Sequence, residues 1–202
     1  MLWQSAMSNL DDKKLEPFPL SEEKIVYECS IFRVKEQKAQ ALNKQHSLNV
    51  YTLDCSNWVN IVPVTASGQI ILVEQHRFGT NSFTLEVPGG AVNLGENDFT
   101  LAAVRELEEE TGLTSKRILS LPGYSPNAAI QSNKVTYFIA FDVQPLQTPI
   151  LHSDPFENIK LHIIDFKDAL QLARTGQITH ALSALAILLA EPYLNAKFKQ
   201  PQ

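Results

Sequence analysis

The segment that most constrains this chain is residues 89–113, GGAVNLGENDFTLAAVRELEEETGL. Residues 99–111 are predicted to form a helix, because Asp98 has the chemistry of a helix start and a Thr-Gly pair follows as a stop. At about 100° per residue, one sector of this helix is an adequate core face. Its side chains are Ala103, Val104, Leu107 and Thr111. The fold must therefore bury this helix along one side.

The glutamates of the same helix occupy a second sector beside the core face. Three of them share it: Glu106, Glu109 and Glu110. Carboxylates four residues apart repel each other, so a cation is expected there. Arg105 neutralises only part of this charge, and Ala102 leaves room for an ion to approach. A hard divalent ion such as Mg²⁺ or Mn²⁺ takes oxygen ligands of this kind. A solvated acidic helix face is the alternative for an arbitrary run of glutamates.

Length and composition describe an ordinary globular chain. It has 202 residues, 44% hydrophobic and 19% charged, which suits one domain with an appended arm. A net charge of -5 argues against a general nucleic-acid binder. The most apolar run, residues 181–190, is about half the length of a membrane span, so no membrane partner is predicted. Residues 1–14 lack the features of a secretion signal, which predicts a cytoplasmic protein.

Alternating and polar segments divide the rest of the chain. Residues 1–22 are expected to be a mobile leader, and residues 23–56 a pair of strands at 24–34 and 46–53. Two strands alone are marginal, so the pair is expected to pack on the main domain, residues 57–195, or on another subunit. Other strands are predicted at 58–65, 69–75, 83–87, 116–121, 135–143 and 160–164. Helices are predicted at 166–175 and 180–189, before a tail at 196–202.

Gly90, Glu96 and residues 105–113 closely resemble the signature box of the Nudix hydrolases, G-x5-E-x7-R-E-U-x-E-E-x-G-U, in which U is apolar. Eight residues separate Glu96 from Arg105 where the family usually has seven, and the extra residue is assigned to the loop before the helix. The segments VEQHRFGT and FTLEVPGG resemble the ADP-ribose and nucleoside diphosphate sugar pyrophosphatases of this family. The resemblance implies an α+β fold, an α/β/α sandwich with a mixed sheet, preceded by a strand pair that commonly packs across a homodimer.

The resemblance also implies a metal site for Mg²⁺ or Mn²⁺. The implied ligands are Glu106, Glu110, Glu109 and the backbone carbonyl of Gly89, with Glu109 either a ligand or a group that holds water. Arg105 would orient a glutamate by ion pairing. Glu96 either joins a second ion or only stabilises the loop. A tight turn with positive φ is a further reason for the two glycines at 89 and 90.

A general base is implied in a loop well after the box. Glu157 is favoured over Asp154, because the acidic residue of the family often lies shortly before a strand. Glu109 is the alternative base, and a solvated loop carboxylate is the alternative role for Glu157.

Several further side chains are candidate substrate contacts, each with a structural alternative. Arg77 offers bidentate geometry to phosphate, or is a surface arginine. Glu86 binds metal or a partner arginine. Phe32 and Trp58 stack on a base or pack in the core. Asn127 hydrogen-bonds a sugar or base, or satisfies loop backbone groups.

The function implied is metal-dependent hydrolysis of the pyrophosphate bond in ADP-ribose or a related nucleoside diphosphate sugar. The segment around Pro126 departs from the Ser-Pro-Gly common in relatives specific for ADP-ribose, which weakens that particular assignment. Two alternatives remain: a housecleaning pyrophosphatase for nucleoside triphosphates or dinucleotides, and an inactive Nudix module that senses a nucleotide.

Overall fold

The computed structural model describes residues 15–148 and 158–198. The chain divides into two compact units, Met1–Leu53 and Asp54–Gln202. The seven-stranded sheet and the three described helices belong to the second unit.

The first unit carries three strands where the sequence predicted two. They are β1 (Lys24–Glu28), β2 (Phe32–Gln40) and β3 (Ser47–Cys55), in the order β1-β2-β3. The predicted strand at 24–34 was wrong as one element, because the chain turns where the Cys29 amide donates to the Phe32 carbonyl at 3.0 Å. The polar residues after Phe32 continue β2 rather than a loop. Every side chain of β2 keeps some exposure, so this strand needs no apolar alternation.

The end of the predicted mobile leader is an extended segment that pairs with β2. The Ser21 amide donates to the Lys38 carbonyl at 3.0 Å, and the Gln40 amide donates to the Pro19 carbonyl at 2.9 Å. Residues 1–14 lie outside the described residues. Backbone pairing therefore places residues 19–21 beside β2, within the segment for which the sequence predicted mobility.

A mixed sheet forms the centre of the second unit. Its strands and the two short strands beside it are β4 (Trp58–Val64), β5 (Gln69–Arg77), β6 (Ser82–Glu86), β7 (Gly89–Ala91), β8 (Leu113–Thr114), β9 (Arg117–Tyr124), β10 (Val135–Phe141), β11 (Gln144–Pro145) and β12 (Lys160–Asp165). The main sheet has the order β12-β5-β4-β10-β9, with β6 paired to β5 and β7 paired to β4, while β8 pairs with β11. β4 and β10 are parallel, and the other recorded pairs are antiparallel.

Helices cover both faces of this sheet, which confirms the predicted three-layer α+β class. Helix α1 (Phe99–Thr111) packs on one face, where its core cluster includes Ile61 and Phe138. Helices α2 (Phe166–Arg174) and α3 (Ala181–Lys197) pack on the other face. Within the described ranges, no helix combines the length and apolar character needed to cross a membrane.

Helix α3 continues beyond its predicted end at residue 189. It passes through Pro192 and reaches Lys197. Leu194, in the turn after the proline, is only 1% exposed and belongs to the core cluster of α2 and α3. Burial of the Leu194 side chain stabilises this last part of the helix and offsets the loss of the backbone hydrogen bond that proline cannot donate.

Candidate active site

Helix α1 begins and ends where the sequence predicts, because both of its ends are fixed locally. The Asp98 carboxylate accepts a hydrogen bond from the Thr100 amide at 2.9 Å and caps the amino end. At the carboxyl end Gly112 adopts φ 67°, and its amide donates to the Glu108 carbonyl at 2.9 Å. These caps fix which residues occupy each turn and therefore the spacing of the glutamates.

The side of α1 that faces the sheet is not the predicted one, because Ala102 is in the core and Val104 is not. Ala102 was expected to lie open among the glutamates, yet it is 0% exposed and packs with Ala103 and Leu107 in the core. Val104, expected in the core, is only partly buried. The helix is turned so that its smallest side chains meet the sheet, which allows a close approach. Ala102 therefore does not line an opening for an ion.

Glu106 lies directly against β7. A methyl group at Gly90 would lie 2.6 Å from Glu106 Oε1, so glycine leaves the space that this carboxylate occupies. The carboxylate also accepts a hydrogen bond from Arg105 Nη1 at 2.8 Å, and the Glu106 side chain is 12% exposed. The glycine thus creates room for a mostly buried carboxylate.

Gly89 allows the backbone of β7 to lie close to the backbone of β4. A Cβ at this residue would overlap the Val59 carbonyl oxygen, and the Gly89 amide donates to Glu110 Oε2 at 3.1 Å. The expected positive φ at the two glycines was wrong, since the positive-φ glycines are others, at Gly68, Gly95, Gly112 and Gly176. Both glycines are required for space and not for backbone conformation.

Glu110 is a partly buried carboxylate with little compensation. Burial is the main cause that raises its pKa, to about 8. The Gly89 amide and the Arg77 charge act in the opposite direction, and the neighbouring Glu106 raises the pKa further. A carboxylate in this environment is stabilised by any additional positive charge brought beside it.

Arg105 ties the acidic face of α1 to the loop before it. Its Nη1 donates to Glu106 and, at 3.0 Å, to Glu109, while Nη2 donates to the Ala91 carbonyl at 3.0 Å. Glu96 lies 3.6 Å from Nη2 and also accepts from the Asn93 amide at 3.1 Å. This contact corresponds to the loop-stabilising role that the sequence left open for Glu96. Glu108 points away and accepts from the Thr114 hydroxyl at 2.6 Å.

Arg77 and Glu86 form a bidentate ion pair beside this face. Arg77 Nε and Nη2 each donate to a Glu86 oxygen at 2.7 Å. Thr84 and His180 add further contacts to the same carboxylate, which is 1% exposed. Burial alone would raise the pKa of Glu86, but the Arg77 and His180 hydrogen bonds outweigh it and lower the pKa to about 2. Two roles were predicted for Glu86, metal binding and pairing with an arginine, and the structure shows the pairing with Arg77.

Two residues of this network escaped sequence reasoning. His180 Nδ1 lies 2.9 Å from Glu86 Oε2 and 2.8 Å from the Ser183 hydroxyl. Ser183, which is 0% exposed, accepts a hydrogen bond from the Val87 amide at 3.1 Å. No local motif marks either residue, because their partners lie far earlier in the chain. Only the tertiary fold, which places the amino end of α3 next to Glu86 and Val87, brings them together.

The remaining predicted site residues lie in varied places. Trp58 begins β4 and packs, partly buried, against the core of α2 and α3. Asn127 accepts from the Ala129 amide at 3.3 Å, which is the loop role that the sequence left open. Phe32 begins β2 in the first unit, with its ring centroid 6.0 Å from that of Tyr27. Glu157 and the alternative Asp154 lie outside the described residues.

The acidic face fits a divalent cation by the chemistry of its donors. It supplies only carboxylate oxygens, the hard ligands that Mg²⁺ and Mn²⁺ take, and Gly90 opens the space around Glu106. Within residues 15–148 and 158–198, no three acidic, histidine or cysteine side chains converge on one point. Glu110 is turned to the Gly89 amide, while Glu106 and Glu109 are turned to Arg105. Coordination by all three would therefore require a change of their rotamers.

Comparison with known proteins covers most of the second unit. The NUDIX domain family matches residues 58–183. An ADP-ribose pyrophosphatase of Bacillus subtilis (strain 168) is 31% identical over 130 residues, which cover 64% of this chain and 69% of the relative. The ADP compounds hydrolase NudE of Escherichia coli (strain K12) is 27% identical over 139 residues, which cover 69% of this chain and 72% of the relative.

A solved structure extends the likeness to nearly the whole chain. The crystal structure of an ADP compounds hydrolase matches with a TM-score of 0.79 at 21% identity, covering 94% of this chain and 100% of that chain. At this identity the likeness shows the fold. Together with the sequence relatives, it confirms the resemblance that the acidic box predicted.

Proposed function

The chain belongs to the Nudix family of hydrolases, and on that premise we propose that it cleaves the pyrophosphate bond of ADP-ribose or a related nucleoside diphosphate sugar. The products would be a nucleoside monophosphate and a sugar phosphate. The observation that carries this proposal is the acidic face of α1, held against two glycines and next to the Arg77 guanidinium. The relatives named for ADP-ribose and ADP compounds support the substrate class.

The proposed cofactor is Mg²⁺ or Mn²⁺, held by Glu106 and Glu110 with Glu109 and the Gly89 carbonyl as further ligands. When bound, such an ion would screen the phosphates and lower the pKa of the attacking water. Arg105 maintains the order of the face, because one guanidinium contacts both Glu106 and Glu109. Its contact with the Ala91 carbonyl fixes the face to β7.

Arg77 is proposed to orient the diphosphate. Its Nε and Nη2 are committed to Glu86, which fixes the plane of the guanidinium, and its side chain is 43% exposed. A guanidinium held on one edge can present its other edge to a phosphate with little loss of side-chain entropy. Glu86 therefore supports the proposed phosphate contact instead of touching the substrate.

The reaction needs a base to take a proton from water. In the balanced step, the water oxygen bonds to one phosphorus while the bond from that phosphorus to the bridging oxygen breaks. The bridging oxygen leaves with the electron pair, and the water proton passes to a carboxylate. We assign that role to Glu157, with Glu109 as the second candidate. Glu157→Gln is expected to lower kcat, whereas an unchanged rate would return the role to Glu109.

The decisive experiment is a substrate panel with the purified full chain. ADP-ribose, other nucleotide sugars, dinucleotides and nucleoside triphosphates are each incubated with Mg²⁺, with Mn²⁺ and with a chelator, and the products are separated by chromatography. We expect AMP and ribose 5-phosphate from ADP-ribose only when a metal is present. Preferred cleavage of triphosphates would favour the housecleaning alternative. Nucleotide binding without turnover on every compound would favour the inactive sensor.

We also propose that the first unit joins two copies of this chain into a homodimer. A three-stranded sheet has little core of its own, and large apolar side chains on and beside it are exposed. They include Ile31 at 74% and Leu48 at 62%. Light scattering is expected to give twice 22.6 kDa. Leu48→Glu should shift the mass to the monomer, whereas Leu101→Glu, on α1 at 63% exposure, should not. A wild-type monomer at micromolar concentration would refute the dimer.

A further inference from the structure

The chain between β6 and β7 is held on both sides. On one side, the Ile61 amide of β4 donates to the Pro88 carbonyl at 2.9 Å, and Gly89 lies against the Val59 carbonyl. On the other side, the amino end of α3 contacts Glu86 through the N-cap residue His180 and Val87 through Ser183. Consecutive residues of this short segment are therefore each fixed by a neighbour.

The last residue of this segment, Gly89, carries the backbone amide that orients Glu110. The Gly89 amide donates to Glu110 Oε2 at 3.1 Å, and a single residue, Pro88, separates Gly89 from Val87. A shift of the Val87 backbone is therefore passed to the Gly89 amide within two residues. Displacements of about 1 Å far from the reacting atoms can lower a rate about 100-fold.

The two residues that the amino end of α3 contacts, Glu86 and Val87, are both buried. Val87 is 1% exposed, so its amide would be left unsatisfied without the Ser183 hydroxyl. Because the ionised Glu86 carboxylate only accepts hydrogen bonds, the proton between it and His180 lies on Nδ1. Arg77 is held by the same carboxylate, so the α3 contacts also bear on the proposed phosphate contact.

We propose that His180 and Ser183 are positioning residues for the hydrolysis: the first turn of α3 fixes segment 86–89 and thereby the Gly89 amide and Glu110. The expected effect of these residues on kcat rests on the proposed hydrolase function. The anchoring itself is a property of the metal-free protein and has its own measurement.

The test compares Ser183→Ala with Ile187→Val in the full chain. Ile187 is 0% exposed one turn further along α3, so its shortening loosens the same helix away from the segment. In metal-free protein, amide hydrogen exchange by NMR at Val87 and Gly89 is expected to be at least about tenfold faster in Ser183→Ala and unchanged in Ile187→Val. On the best substrate of the panel, kcat is expected to fall about tenfold or more in Ser183→Ala, with KM within about twofold.

A second pair of variants tests the same role if Ser183→Ala does not fold. The His180 side chain is 28% exposed and accepts substitution more easily. His180→Ala is expected to lower kcat, and His180→Asn to recover most of it, because the asparagine amide nitrogen can donate to Glu86 from near the place of Nδ1.

Two results would overturn the positioning role. The first is that the amide exchange rates and kcat of Ser183→Ala lie within twofold of those of Ile187→Val. The second is that kcat of His180→Asn is no higher than kcat of His180→Ala. Absence of turnover by the wild type on the whole panel would refute the proposed function instead. In that case the exchange rates at Val87 and Gly89 would still decide whether α3 anchors the segment.

Discussion

Two carboxylates, the buried Glu86 before Gly89 in the chain and the partly buried Glu110 after it, have pKa values shifted in opposite directions. Glu86 receives hydrogen bonds from Arg77, Thr84 and His180, and its pKa is lowered to about 2. Glu110 receives the Gly89 amide, and burial together with Glu106 raises its pKa to about 8. The protein compensates the first charge with several donors, whereas for the second the Gly89 hydrogen bond and the Arg77 charge do not offset burial.

The difference separates a structural carboxylate from one that is prepared for a ligand. A buried carboxylate with a full set of donors stabilises the fold, and removing one partner of such a pair is strongly destabilising. A partly buried carboxylate that lacks compensation is unfavourable in the metal-free protein and gains most from an added cation. The two positions should therefore respond in opposite ways to the same Glu→Gln change.

The largest effect is expected for Glu110→Gln, on activity. Loss of a direct metal ligand should lower metal-dependent turnover at least about 100-fold, since even second-sphere changes around a metal cost 10–100-fold. The stability of the metal-free protein should be unchanged or increased, because folding near pH 7 no longer has to protonate a carboxyl whose pKa is raised to about 8. Kinetics with Mg²⁺ and urea unfolding without metal measure the two quantities.

Glu108→Gln is the matched control for that change. Glu108 is on the same helix, and its carboxylate binds the Thr114 hydroxyl away from the acidic face. Turnover of this variant should stay within about twofold of the wild type. Near-normal turnover of Glu110→Gln would contradict the assignment of Glu110 as a ligand.

Glu86→Gln should act on stability first. The change leaves Arg77 without its ionised partner, and we expect the free energy of unfolding to fall by about 2–3 kcal/mol. This figure lies below the 3–5 kcal/mol for a fully buried pair, because the Arg77 side chain is 43% exposed and water partly compensates its charge. Urea denaturation at pH 7 without metal measures it. An unchanged unfolding midpoint would remove the contrast between the two carboxylates.

Gly90→Ala should show whether the space beside Glu106 matters. The added methyl group would lie 2.6 Å from Glu106 Oε1 and force this flexible side chain to move, while the backbone stays in place. We expect about a tenfold loss of kcat, close to 1.4 kcal/mol in the barrier. Gly79→Ala is the control, because a methyl group there meets no atom within 4 Å. Equal kcat in the two variants would place Glu106 outside the reaction.

The smallest effect is expected from pH on the Glu86 contribution. The folded pKa of about 2 lies below the ordinary value of 4.5, so ionised Glu86 stabilises the protein above pH 4.5 and less as the pH falls towards 2. The difference in unfolding free energy between wild type and Glu86→Gln should therefore narrow by about 1 kcal/mol from pH 5 to pH 3.5. A difference that stays constant over this range would mean that Glu86 is not ionised through a lowered pKa.

Local signals allowed the sequence to predict much of the second unit. The bounds of α1 follow from Asp98 and Gly112, and two largely apolar runs separated by a turn mark β4 and β5, which have consecutive buried side chains. In the first unit the same reasoning joined β1 and β2 into one strand. There the strands bury little, so apolar alternation carries little information about where a strand ends.

The sequence by itself determined the acidic helix, its caps, the glycines before it and the family to which the box belongs. Each of these depends on residues within a few turns of one another. The tertiary structure alone decided that Ala102 faces the sheet, that the two glycines give space instead of a positive φ, and that α3 reaches back to Glu86 and Val87. Those features depend on packing between residues distant in the chain, and the burial and pairing of a charge are settled only when its neighbours are in place.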